Sequence, residues 1–88
     1  MKRNIGDKVV INPYTRTTGV IHQIINKIKM TNLTFDYVVK LNIPDISDET
    51  VYTANYNSEE DFWWQYFSDN ELDILEKNWN MVTKSDNN

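Results

Sequence analysis

Glu59-Glu-Asp-Phe-Trp-Trp-Gln-Tyr-Phe-Ser-Asp-Asn-Glu-Leu-Asp-Ile-Leu75 is the stretch on which the fold of this chain turns. Behind three acids it carries Phe62, Trp63, Trp64, Tyr66 and Phe67 within six positions. Read as a strand, it sends Phe62, Trp64 and Tyr66 to one side and Trp63, Gln65 and Phe67 to the other. Each aromatic hides roughly 150–250 Å² when buried. A chain of 88 residues builds one small core and keeps a large share of its surface in water. One aromatic face is therefore expected inside, and the surplus face either marks a binding surface or is covered by Trp79 from an extension over Glu76–Val82.

After Phe67 the sequence supports two readings. Ser68-Asp-Asn-Glu71 has the spacing of a capping box, and Leu72, Leu75, Trp79 and Val82 fall near helical spacing. Leu72-Asp-Ile-Leu75 equally suits a short closing strand after one tight turn. The favoured expectation is the turn and strand, with Trp79 and Met81 folding back in a C-terminal extension. Residues 84–88 are polar and expected to form a disordered tail beyond a single domain spanning 1–83.

Upstream, β-branched runs dominate. Lys8-Val-Val-Ile-Asn12 reads as a strand entered through Gly6-Asp7 and stopped by Pro13. A polar loop over 13–18 leads to Gly19, which opens a second strand. Ile21 and Ile24 differ in parity there, so a β-bulge at His22-Gln23 is expected to turn both inward. A helix over 21–30 is the weaker alternative, given the β-branched enrichment. Thr31–Thr34 reads as a turn, and its Asn32-Leu-Thr34 sequon as a chance match without a secretory signal. The next strand is the clearest: Phe35, Tyr37, Val39 and Leu41 share one face, with Asp36, Lys40 and Asn42 on the other. An acidic loop from Pro44 to Glu49 and a strand from Thr50 to Asn55 lead back to the aromatic stretch.

Charge is divided unevenly along the chain. Residues 1–40 hold seven Lys and Arg against Asp7 and Asp36, while residues 41–88 hold Lys77 and Lys84 against eleven acids. The division predicts a basic and an acidic side unless folding interleaves the halves. Without cysteine, disulfide scaffolds, cysteine-ligated zinc and thiol catalysis drop out. With no apolar leader and no apolar run near 20 residues, a soluble cytoplasmic protein is expected.

The order Gly6-Asp-Lys-Val-Val10, Gly19-Val-Ile-His-Gln-Ile24, Tyr37-Val-Val-Lys-Leu41 and Phe67-Ser-Asp-Asn-Glu-Leu72 resembles the SH3-like barrels, including their KOW-type subgroup. The resemblance covers roughly residues 5–75 and is similar to small proteins of bacteriophages and their hosts. It implies an all-β fold, a small antiparallel barrel of about five strands. It also implies binding of nucleic acid, peptide or protein through loops and one barrel face. Fold alone does not supply the function.

Chemistry offers little. His22 is the single histidine and lies within an expected strand, where a structural role fits better than catalysis. Asp69, Glu71 and Asp73 alternate like the start of a calcium loop. Ile74 stands where that loop needs glycine, and Asn80 where it needs the final glutamate. Gly6 and Gly19 are the only glycines, too few for a phosphate loop. No enzyme, cofactor or metal site is expected.

The leading expectation is a non-enzymatic protein-binding module, such as a phage-encoded inhibitor or regulator of a host protein. Its contact set is Glu59, Glu60, Asp61, Phe62, Trp64 and Tyr66, facing a partner with a basic surface or a second copy of the chain. The alternative is a nucleic-acid binder using Lys8, Arg16, Lys27, Lys29 and Lys40, with Tyr14 and Tyr37 for stacking.

Overall fold

The computed structural model describes residues 3–30, 33–44 and 53–85, with side chains at 3–25, 34–44 and 53–84. Strands β1 (Lys8–Asn12), β2 (Thr17–Met30), β3 (Leu33–Asn42), β4 (Asn55–Asn57) and β5 (Phe62–Phe67) form one antiparallel sheet in the order β1-β2-β3-β5-β4. Helix α1 (Asp69–Ser85) follows β5 directly. The number of antiparallel strands agrees with the expected five or so, but the all-β barrel does not: a helix follows β5, and among the described residues β1 and β4 are the two edges of an open sheet. No described helix is long and apolar enough to cross a membrane.

The core lies on one face of the sheet. Val9 and Ile11 from β1, Ile21 from β2, Tyr37, Val39 and Leu41 from β3 and Phe67 from β5 meet Leu72 from α1. The bulge expected at His22-Gln23 is present, because the register steps from Ile21↔Val39 to Gln23↔Val38. The extra residue reverses the parity of β2, so both Ile21 and Ile24 pack into the core. Gly19 answers a spatial demand. A Cβ there would stand 2.5 Å from Val39 Cγ1 and 3.0 Å from the Lys40 carbonyl oxygen.

Phe35 departs from the expected inward row. A second irregularity between Ile24 and Ile28 sets three residues of β2 against Asp36 alone. Bulges increase strand twist, and beyond this one Phe35 stacks on Tyr66 instead of joining the core, ring centroids 5.6 Å apart. The strand expected over 50–55 is also displaced: β4 spans Asn55–Asn57, with Thr53 and Ala54 outside it. Leu33 and Thr34, expected in a turn over 31–34, instead open β3 and pair with Met30 and Lys29. The rest of the strand expected over 50–55, Thr31, the sequon residue Asn32, the acidic loop at 45–49 and the tail at 86–88 lie outside the described residues.

The segment after Phe67 is a helix, correcting the favoured turn and strand. Ser68 Oγ accepts from the Glu71 N–H, and Glu71 Oε1 accepts from the Ser68 N–H, both at 3.1 Å. This reciprocal cap satisfies two donors that a helix start leaves open. Leu72 is buried and Leu75, Trp79 and Val82 half-buried along one stripe, while Ile74 and Met81 point to water. The helix continues through Lys84 and Ser85, the first residues of the expected tail.

A polar cluster pins α1 to the sheet. Asp36 Oδ2 on β3 accepts from the Asp69 N–H at 2.9 Å. Tyr37 donates its hydroxyl to Asp69 Oδ1 at 2.5 Å, and Arg3 bonds Asp69 Oδ1 at 2.9 Å and Asp73 Oδ1 at 3.0 Å. Burial lowers the Arg3 pKa, but its bonds to Asp73 and Asp69 outweigh that and hold it above its ordinary value. Burial, then the bond to Asp69, pushes the Tyr37 phenol up. The folded phenol therefore keeps its proton where the unfolded one loses it. Its contribution is complete below about pH 10 and is lost as pH rises through the folded value. Thermal melts from neutral to strongly alkaline pH should show a shallower alkaline decline in Tyr37→Phe than in the parent.

Candidate functional site

Strand β5 decides which aromatics meet the core. It pairs with β3 in the register Tyr37↔Phe67, Val39↔Gln65 and Leu41↔Trp63, and with β4 as Asn55↔Trp64 and Asn57↔Phe62. Side chains alternate across the sheet, so Phe67 enters the core and Trp63 packs against it. Phe62, Trp64 and Tyr66 turn to the opposite face. The helix packs mainly on β1 and, less, on β3, and contributes no lining residue to the cleft between Phe62, Trp64 and Tyr66.

On this second face the aromatics form a continuous surface. Trp64 and Tyr66 meet edge to face, centroids 5.0 Å apart, and Tyr66 continues onto Phe35. His22, Gln23, Val38, Asn57, Phe62, Trp64 and Tyr66 line a shallow cleft of about 210 Å³. Trp64 and Tyr66 are half-buried. Phe62 is only 7% exposed and reaches the cleft from beneath Trp64 and Tyr66. The His22 ring lies 5.3 Å from it and Lys40 Nζ stands 4.9 Å from its centroid. Phe62 is the floor on which the two half-buried aromatics are set.

The acidic turn is ordered by its own side chains. Asn57 Oδ1 accepts from the N–H groups of Glu59 and Glu60 at 3.0 and 3.1 Å, an arrangement asparagine favours in turns. Asp61 takes a left-handed backbone, φ 58°, and its carboxylate accepts from the Tyr56 hydroxyl. That hydrogen bond raises the Tyr56 phenol pKa. Glu59, Glu60 and Asp61 are exposed and make no ion pair among the described residues.

The basic residues are only partly gathered. Register places Lys8, Val20, Lys40 and Trp64 in one row across four strands on the second face. Arg16 lies in the β1–β2 turn and joins Lys8 along a separate groove. Lys27 and Lys29 lie in β2, where only the backbone is described. The two halves of the chain are thus interleaved, with Lys40 beside the aromatics of the acidic half. Sequence reasoning missed His22, Gln23 and Asn57 as cleft residues. The bulge at His22-Gln23 was the available signal, because an unpaired residue re-aims its neighbours.

No family model, no curated protein and no solved structure matches the chain.

Proposed function

We propose that this chain is a non-enzymatic protein-binding module, an open variant of the SH3-like arrangement that inhibits or regulates a partner protein, as phage-encoded factors do to host proteins. The observation that carries the reading is the second face of β5. Trp64 and Tyr66 stand half-exposed on a buried Phe62 floor, beside an ordered turn carrying three exposed acids without an ion pair among the described residues. Rigid aromatics lose little side-chain entropy on binding, and Trp and Tyr are enriched where interface energy concentrates. The acids favour a partner with a basic surface and accelerate its approach.

The two neighbouring tryptophans supply the test. Truncating a central Trp anchor costs about 2 kcal/mol or more of binding, roughly thirtyfold in affinity. Trp64→Ala should lose capture of the partner, identified by pull-down and mass spectrometry, with little change in melting temperature. Trp63→Ala should lower the melting temperature, because Trp63 packs against the core. Stability lost at Trp64 with binding retained would sink the reading.

One observation supports a second reading. Lys40 stands opposite Trp64 in register with its Nζ 4.9 Å from the Phe62 ring centroid, a cation among aromatics of the kind suited to single-stranded nucleic acid. Fluorescence titration with labelled DNA and RNA at about 150 mM salt separates the two. Tight binding that weakens steeply with salt and is lost in Lys40→Glu would favour nucleic acid.

A further inference from the structure

An open groove of about 690 Å³ runs between the C-terminal half of α1 and the β1–β2 hairpin. Lys8 and Arg16 bring two cations to it from different elements, and none of its lining residues is acidic, in a chain of net charge −4. Neither cation has an ion pair among the described residues. Two aromatics accompany them. Tyr14 is 77% exposed, on a turn where its N–H donates to Asn12 Oδ1 at 3.0 Å. Trp79 is half-buried and faces the groove from α1.

Arg16 holds a left-handed backbone, φ 59°, a region that resists residues with a Cβ and is free to glycine. The turn thus carries a long cation at a position where its backbone would favour glycine. Charge alone would suit any small anion, but the groove is far larger than one phosphate. Its volume falls within the roughly 300–1,000 Å³ of small-molecule sites.

We propose that this groove binds a nucleoside phosphate. The base stacks on Tyr14 and Trp79, and the phosphate is held by Arg16 and Lys8. Thr18, Asn42 and Thr83 supply polar side chains for the sugar. This site shares no residue with the Trp64–Tyr66 cleft and does not rest on the protein-binding reading.

The test titrates 5′-AMP, adenosine and inorganic phosphate separately into the full chain at about 20 mM salt, read by calorimetry and amide chemical shifts. AMP should saturate with shifts at Tyr14, Arg16 and Thr83, and adenosine and phosphate should each bind at least about tenfold more weakly. Arg16→Gly should weaken AMP at least about tenfold without lowering the melting temperature, because glycine accepts that backbone. Lys8→Gln should weaken it similarly, and Trp64→Ala should leave it unchanged. The proposal is overturned if AMP fails to saturate at concentrations on the order of 10 mM. It is equally overturned if phosphate or adenosine binds as well as AMP, if Arg16→Gly leaves affinity intact, or if shifts fall at Trp64 and Tyr66 instead. A ten-nucleotide single strand binding more than about tenfold tighter per site than AMP would also overturn it, in favour of a polymer.

Discussion

Val39→Asp is expected to yield no folded protein. Val39 is 0% exposed, lies between Ile21 on β2 and Gln65 on β5, and fills the space that Gly19 leaves by lacking a Cβ. A carboxylate there must be buried as a charge or take up a proton and still lack a designed partner. Either outcome costs several kcal/mol against a total stability of roughly 5–15. A domain of this size sits toward the lower end of that range. Collapsed dispersion in the proton NMR spectrum and loss of the cooperative melt are the expected readouts. Val39→Ala provides the contrast. It removes two methyl-sized groups and leaves a small cavity, a loss of about 2–3 kcal/mol that should preserve a folded but less stable chain.

The second large effect is expected at Asp69. Asp69→Ala takes the acceptor from the buried Tyr37 hydroxyl and one of two close carboxylates from Arg3. It also removes negative charge from the first turn of α1, where the helix dipole favours it. A buried donor left unpaired costs about 1–3 kcal/mol, and the remaining losses bring the total to about 2–4. Chemical denaturation should therefore shift far more for Asp69→Ala than for Asp73→Ala. Asp73 is more exposed, and its pairing with Arg3 is screened by water to about 0–1 kcal/mol. Equal effects at the two positions would mean that Tyr37 does not depend on Asp69.

Both residues bear on function through register. Tyr37 faces Phe67 across the β3–β5 pair, and that pairing sets which aromatics of β5 look outward. A slip of one residue would exchange the faces, burying Trp64 and Tyr66 and exposing Trp63 and Phe67. The binding face is thus a consequence of how firmly the other face is held.

Much of this was determined by local sequence. Alternation in Tyr37–Leu41 and Phe62–Phe67 assigns core and outer sides, since period 2 is a property of the extended backbone itself. The odd-to-even change between Ile21 and Ile24 likewise locates the bulge before any partner strand is known. Ser68 and Glu71 carry the helix start in four residues, yet Leu72–Leu75 alone matches a strand as well as a helix. What separates the two is distant in sequence: Asp36 capping Asp69, Tyr37 and Arg3 holding its carboxylate, and a core waiting for Leu72. The strand count was legible, but whether the sheet closes depends on twist accumulated across strands. Phe35 left its row because an irregularity in a neighbouring strand re-aimed it. Lys8 and Arg16 share a groove with Trp79 only because α1 lies along β1, a tertiary contact that no local pattern encodes.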